Sequence, residues 1–121
     1  MHETELLKGK TGIVTGASSG IGRATAELLG QHGVHVYLVG RTQSALEEVR
    51  GRIAQAGGTA SVAKIDINEK GQIAALVKRA LEETTRLDIM VNNAGLEYPG
   101  SIIDGEMDRW REMVDTNILA L

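Results

Sequence analysis

Cysteine is absent from the 121-residue sequence, and phenylalanine is absent as well. Without cysteine the chain has no disulfide framework, no thiolate nucleophile and no zinc site built on cysteine. Tryptophan occurs once and tyrosine twice, so aromatic side chains contribute little to the core. The chain is long enough to bury a real core, and that core is expected to consist of leucine, isoleucine, valine and alanine.

The sequence also lacks a basic surplus and a long apolar run. Its formal net charge is -3, which argues against a general nucleic-acid-binding protein because such proteins use lysine and arginine to neutralise phosphates. The apolar runs are too short to span a bilayer, and residues 1–10 are too polar for a signal peptide. We therefore expect a cytoplasmic protein without nucleic-acid or membrane partners and without a metal site.

Strand-like and helical patterns alternate four times along the chain. Apolar runs predict strands at residues 11–15, 34–39, 60–66 and 87–95. Helical spacing predicts four helices, one after each strand. Their apolar positions are, in the first helix, Ile21, Ala24, Leu28 and Leu29; in the second, Leu46, Val49 and Ile53; in the third, Ile73, Leu76, Val77, Ala80 and Leu81; and in the fourth, Met107, Trp110, Val114, Ile118 and Leu121. The pattern predicts one α/β domain over residues 1–121, a doubly wound parallel sheet of four strands with helices on both faces.

Three glycines lie between the first strand and the first helix, where a doubly wound fold binds phosphate. We expect Gly16 to take the tight turn, Gly20 to let backbone amides approach a pyrophosphate, and Gly22 to let the helix pack closely on the sheet. Ser18 and Ser19 add hydroxyl donors. A plain flexible turn is the alternative interpretation.

A second position that contacts the cofactor, and that distinguishes a ribose 2′-hydroxyl from a 2′-phosphate, is expected where the second strand ends. An acidic residue there binds a ribose 2′-hydroxyl, whereas a basic residue accepts a 2′-phosphate. This chain has Gly40 followed by Arg41, and arginine's planar fork suits phosphate. The position therefore favours NADP(H) over NAD(H), although a solvated surface arginine is the simpler reading.

Three ordered motifs resemble the classical short-chain dehydrogenase/reductase family, over its N-terminal half only. They are "TGASSGIG" at 15–22, "KIDI" at 64–67 and "NNAG" at 92–95. The resemblance implies a Rossmann-type fold, truncated relative to the full family fold. It also implies that phosphates and ribose lie against Gly16, Ser18, Ser19, Gly20, Ile21 and Gly22, the adenine against Asp66 and Ile67, and the adenine-side ribose near Asn93, Ala94 and Gly95.

The same resemblance places Asn117 at the asparagine of the family's Asn-Ser-Tyr-Lys catalytic group, where it orders a proton-relay water. An asparagine satisfied by neighbouring backbone is the alternative. The family's Tyr-x-x-x-Lys pair has no counterpart here, because Tyr37 is followed four residues later by Arg41 and Tyr98 by Ile102.

The resemblance implies the cofactor-binding half of an NADP(H)-dependent oxidoreductase that moves hydride between nicotinamide and a carbonyl or secondary alcohol substrate. Because the Tyr-x-x-x-Lys pair is absent, we expect these 121 residues to be inactive alone. The alternative is a non-catalytic dinucleotide-binding module or fragment.

The apolar pattern of the final helix continues to Leu121 without a residue that typically ends a helix. This suggests either a partner that covers that end or a longer natural chain. In the family this helix packs against another subunit, so a homo-oligomer is expected. The fourth strand is also expected to have an exposed edge that favours self-association.

Overall fold

A computed structural model describes residues 6–66, 69, 71–93 and 118–120, the last three by their backbone. Four strands occupy Thr11–Thr15 (β1), His35–Gly40 (β2), Thr59–Lys64 (β3) and Ile89–Asn92 (β4). Three helices connect them at Gly20–Gln31 (α1), Gln43–Gln55 (α2) and Gln72–Thr84 (α3). A short strand, β5, occupies Ile118–Ala120. The predicted alternation is confirmed from β1 to β4. The bounds of β1 are as predicted, and those of the other three strands differ by one to three residues.

The strands form a sheet in the order β3-β2-β1-β4-β5. The pairs β1–β2, β1–β4 and β2–β3 are parallel, which confirms the predicted four-stranded parallel sheet. Because these strands are parallel, their carboxyl ends lie at one edge, where residues 16, 41, 65 and 93 follow them. The residues predicted to bind a ligand are therefore brought to the same side of the sheet.

Helices cover both faces of the sheet. On one face Val14, Val36 and Leu38 pack with Ala26 of α1 and with α2. The predicted stripe of α2, Leu46, Val49 and Ile53, is buried there. On the other face Ile13 and Val39 pack with Leu76 and Ala80 of α3. Alternate residues of each strand thus pack into the cores on opposite faces, as expected of a sheet that is covered on both sides.

The apolar positions at helical spacing in α1 do not form its buried side, apart from Leu29, which packs against the core. Ile21 is 75% exposed and Leu28 is 54% exposed, whereas the buried residues of this helix are Gly22, Ala26 and Gly30. The reason is the short distance between backbones: a Cβ added at Gly30 would lie 2.8 Å from Ile53 Cγ2 of α2. Larger side chains do not fit on this side, so they face solvent.

The sequence prediction of helix at residues 118–120 is also wrong. This segment is β5, which pairs antiparallel with β4 so that Ile89, Met90 and Val91 face Ala120, Leu119 and Ile118. Apolar residues suit both helix and strand, and the unpaired backbone groups of β4 decide in favour of pairing. The expected open edge of β4 is therefore occupied, and that argument for self-association no longer holds.

A polar cluster lies within the α3 face, remote from the glycine corner. The Tyr37 side chain is fully buried, and its hydroxyl donates to Glu83 Oε1 at 2.7 Å. The Arg79 guanidinium lies 5.4 Å from the Tyr37 ring centroid and pairs with Glu83. Burial, and then the Glu83 carboxylate, raise the pKa of Tyr37 to about 12.

The start of β1 is joined to the start of β4 by one carboxylate. Asp88 Oδ2 accepts a hydrogen bond from the Thr11 backbone amide at 2.9 Å, and the Asp88 amide donates to the Thr11 carbonyl. Arg86 binds both carboxylate oxygens of Asp88 at 2.7 Å. This guanidinium holds the pKa of Asp88 below its ordinary value of 3.8.

Candidate functional site

The glycine corner, residues 16–22, turns the chain from β1 into α1. Gly16 has φ +61° and Gly20 has φ +59°, a left-handed conformation that glycine adopts without steric penalty. The Ala17 amide donates to the Val39 carbonyl at 3.0 Å and thereby fixes the corner to the end of β2. A Cβ added at Gly20 would meet no atom within 4 Å, so backbone here faces open space that a ligand can occupy.

Gly22 permits the closest approach in this corner. A Cβ at this position would overlap the Gly16 carbonyl oxygen, and it would lie 2.8 Å from the Gly16 carbonyl carbon and 2.9 Å from Asn93 Nδ2. The first turn of α1 therefore rests directly on the turn that precedes it. This contact brings the corner beside Asn93, which follows β4, and it leaves no space for a side chain.

The amino-terminal end of α1 has the features that favour an anion. Ser19 is the N-cap residue, but its side chain makes no capping hydrogen bond, and the first turn contains no acidic residue. Free amides and the helix dipole at such an end attract negative charge. Ser19 and Ile21 are exposed and Ser18 is half-buried, so all three are accessible to a ligand. These residues fit the pyrophosphate of a dinucleotide.

Arg41 and Asp66 line one cavity beyond the ends of β2 and β3. This charged cavity has a volume of about 310 Å³ and is lined by Arg41, Lys64, Ile65, Asp66, Glu69 and Gln72. The Ile65 amide donates to the Gly40 carbonyl at 2.9 Å, which holds the two strand ends together. The Glu69 amide donates to the Asp66 carbonyl at 3.0 Å, which forms the turn on the far side.

The first asparagine of the "NNAG" motif supports the sheet. The Thr15 hydroxyl, at the end of β1, donates to Asn92 Oδ1 at 2.7 Å, and Thr15 is almost completely buried. This bond ties the carboxyl ends of β1 and β4 together beneath the corner. Asn93 is then held against Gly22, as described above.

The structure thus brings two groups of predicted residues to one edge of the sheet. The corner contains Gly16, Ser18, Ser19, Gly20, Ile21 and Gly22, with Asn93 beside it, and the charged cavity contains Arg41 and Asp66. Ile67, Ala94, Gly95 and Asn117 lie outside the described residues. Lys64 and Glu69 were not predicted, because the place of Lys64 depends on the β2–β3 register and that of Glu69 on the turn after β3.

The described residues offer no alternative site for a metal ion. Among residues 6–66, 69 and 71–93, no three histidine, aspartate or glutamate side chains are grouped closely enough to hold one. None of the helices described is both long and apolar enough to cross a membrane.

Comparison with known proteins places the chain in one family. The model of the family described as short chain dehydrogenase matches residues 10–121. An uncharacterized oxidoreductase of Staphylococcus saprophyticus is 42% identical over 115 residues, which are 93% of this chain and 48% of that protein. The chain spans about half the length of such curated relatives.

Solved structures agree with the sequence relatives. A citronellol catabolism dehydrogenase of Pseudomonas aeruginosa superimposes with a TM-score of 0.73 and 37% identity, covering 96% of this chain and 47% of that one. A metagenomic short-chain oxidoreductase in complex with NADP gives a TM-score of 0.71 and 34% identity, covering 90% of this chain and 50% of that one. Together with the glycine corner and the parallel sheet, these matches show that the chain belongs to the short-chain dehydrogenase family.

Proposed function

We propose that this chain is the NADP(H)-binding half of an oxidoreductase that transfers hydride between nicotinamide and a carbonyl or secondary alcohol substrate. The observation that carries the proposal is the position of the glycine corner and the charged cavity at one edge of the sheet. In a doubly wound fold the dinucleotide lies across that edge. The bound nicotinamide would supply or accept the hydride.

The corner would hold the phosphates of the dinucleotide. The amides at the start of α1 would donate to the pyrophosphate, with Ser18 and Ser19 adding hydroxyl donors. Ile21, exposed beside the corner, would cover part of the cofactor and lose that exposure when it binds. Asn93, which lies beside Gly22 of α1, is proposed from the resemblance for the adenine-side ribose. Ala94 and Gly95 are proposed for the same ribose from the resemblance.

The charged cavity would hold the adenosine end. Asp66 would accept a hydrogen bond from the adenine amino group, and Ile67 would contact the ring. Arg41 is exposed at the mouth of this cavity, where a 2′-phosphate on the adenosine ribose would meet its guanidinium. This position supports a preference for NADP(H) over NAD(H).

Turnover needs a proton donor, and these 121 residues contain no Tyr-x-x-x-Lys pair. We therefore propose that they bind dinucleotide without catalysing hydride transfer alone, with Asn117 contributing to a proton relay in an active enzyme. The same absence favours the alternative, a non-catalytic dinucleotide-binding module. A cytoplasmic homo-oligomer is part of the leading proposal and rests on the family resemblance.

Replacing Arg41 by alanine tests the cofactor preference. We expect the affinity for NADPH to fall about tenfold relative to NADH, since a hydrogen bond to a charged group contributes roughly 1.5 kcal/mol or more. Fluorescence titration of both cofactors gives the two dissociation constants. Arg52→Ala is a matched control, because Arg52 is an exposed arginine of α2 that pairs with Glu48. An unchanged ratio of the two constants in Arg41→Ala would show that the assigned role of Arg41 is wrong.

Titration with carbonyl substrates separates the two candidate functions when it is carried out on the protein as its source cell makes it, because the leading proposal already expects the 121 residues alone to be inactive. A protein that binds NADPH and oxidises it against any carbonyl of a broad panel is an enzyme. One that binds NADPH with the expected preference and never oxidises it is a binding module. Failure to bind either dinucleotide would contradict both functions.

A further inference from the structure

Four charged side chains line the charged cavity, and their signs oppose one another. Arg41 and Lys64 are cations, whereas Asp66 and Glu69 carry carboxylates. A phosphate group with nearly two negative charges is disfavoured where negative charge prevails. Lys64 adds a second positive charge to this lining, so it favours a phosphate that Arg41 alone would bind less strongly.

The sheet register places Lys64 next to Arg41. Lys64 is the parallel partner of Gly40, the residue that precedes Arg41. Partners on adjacent strands lie about 4.8 Å apart, and one further residue adds about 3.8 Å along the chain. A lysine side chain is flexible enough to bridge such a separation. The two cations can therefore reach a single phosphate from neighbouring strands.

Neither cation is neutralised by a carboxylate in the part of the chain that the structure describes. Lys64 and Arg41 are exposed, and neither belongs to an ion pair between described residues. Lys78 of α3, in contrast, lies 4.0 Å from Glu82. Glu69 is held within the turn by a hydrogen bond from Gln72. Glu69 thus lines the cavity and forms an ion pair with neither of these two cations.

We infer that Lys64 and Arg41 form a two-cation clamp for the 2′-phosphate, and that Glu69 opposes it. The inference rests on the proposed function, since it assigns a second specificity-determining residue to the same cofactor. Arg41 supplies directed hydrogen bonds through its planar fork, whereas Lys64 supplies a mobile point charge. Glu69 sets an upper limit on how strongly the phosphate is preferred.

Two small nucleotides that differ only in the 2′-phosphate test this clamp. Adenosine 2′,5′-bisphosphate and adenosine 5′-monophosphate are titrated by calorimetry at low ionic strength, where screening of exposed charges is weakest. The ratio of their dissociation constants measures the 2′-phosphate preference. We expect Lys64→Gln to lower this preference about fivefold to tenfold, because a charge-assisted contact is lost at an exposed position. Glu69→Gln is expected to raise it.

Lys78→Gln is the matched control, since it removes the same charge from an exposed position on α3, outside the cavity. Its preference is expected to stay within twofold of the unmodified protein. If Lys78→Gln lowers the 2′-phosphate preference as much as Lys64→Gln does, the clamp is overturned, because net charge alone would then explain the effect. An unchanged preference in Glu69→Gln would overturn the opposing role of Glu69. Thermal melts followed by circular dichroism confirm that each variant is folded.

The experiment also separates this inference from the function on which it rests. If Arg41→Ala lowers the preference and Lys64→Gln does not, the NADP(H) proposal stands and the clamp is overturned. If the unmodified protein shows no preference between the two nucleotides, the NADP(H) proposal fails and the clamp fails with it. A weaker 2′-phosphate preference in both Arg41→Ala and Lys64→Gln supports the two-cation clamp.

Discussion

Gly22→Ala tests whether the glycine corner is closed by direct backbone contact. The added Cβ would overlap the Gly16 carbonyl oxygen and would lie within 2.9 Å of Asn93 Nδ2. Real Cβ atoms do not approach other atoms so closely, and the main obstacle is backbone, which cannot rotate away as a side chain can. The first turn of α1 would have to move away from Gly16, which would widen the corner.

The magnitude follows from two opposing effects. Overpacking a closed contact destabilises a protein by about 1–3 kcal/mol, and by more when backbone has to move. Alanine in place of glycine favours a helix by up to about 1 kcal/mol. Gly22 lies in the first turn of α1, where that gain is smaller. We therefore expect a net loss of about 2 kcal/mol in the free energy of unfolding, together with weaker dinucleotide binding.

Gly51 of α2 provides the control. It lies inside a helix like Gly22, but a Cβ added there would meet no atom within 4 Å, and the residue is exposed. Gly51→Ala is expected to stabilise the protein by about 0.5–1 kcal/mol through helix propensity alone. The same substitution in two helices should thus have opposite signs.

Urea unfolding followed by circular dichroism measures both variants. A difference of about 3 kcal/mol between them corresponds to about 1–2 M in the urea midpoint at a typical m value. NADPH titration gives the effect on binding. A Gly22→Ala protein within about 0.5 kcal/mol of the unmodified protein would refute the argument, because the contact with Gly16 would then yield freely.

Two further predictions concern ionisable groups away from the site. Tyr37→Phe is expected to lower the free energy of unfolding by roughly 1 kcal/mol through loss of the bond to Glu83. Because the folded pKa of Tyr37 is about 12 and that of unfolded tyrosine is about 10, stability should fall as pH rises through this window, and urea midpoints should show a shallower fall in the phenylalanine variant. Asp88→Asn should flatten the acid limb of the stability profile. Its pKa is lowered by Arg86, so its contribution is present above pH 3.8 and lost below it. An acid limb in Asp88→Asn as steep as in the unmodified protein would contradict this role.

Much of the fold could be predicted from local pattern. Most residues of β1, β2 and β4 are apolar, and the helix at 43–55 carries Leu46, Val49 and Ile53 at helical spacing. Gly33, with φ +85°, follows His32, the C-cap residue of α1, a position where glycine is common. Each of these signals lies within a single element, so it can be recognised in the sequence without knowing which elements pack together.

The errors arose where contacts between distant elements decide the outcome. Gly30 carries no hydropathy signal, yet it faces α2 because only a residue without a side chain allows so short a separation from Ile53. Ile118–Ala120 forms a strand because β4, some 30 residues earlier, offers it a partner. Neither reason can be read from a window of neighbouring residues.

In the candidate site, too, some residues could be predicted from local sequence, whereas others depend on contacts between distant elements. The glycine corner was predicted because its residues are contiguous, and Arg41 was predicted because it follows a strand. Lys64 was missed because nothing in "KIDI" distinguishes it until the register sets it beside Gly40. Thr15 was predicted as the first residue of "TGASSGIG", but its hydrogen bond to Asn92 joins two strands that are far apart in sequence and was not predicted.

The two sides of α1 differ in a way that is useful in the laboratory. Its outward side carries Ile21, Ala24 and Leu28, all exposed, and the chain contains no cysteine. Leu28→Cys would therefore introduce a single thiol, on the side of the helix that tolerates added bulk. It lies eight residues after Gly20, about 12 Å along the helix axis. A fluorophore attached there would be near enough to the glycine corner to report nucleotide arrival without obstructing it.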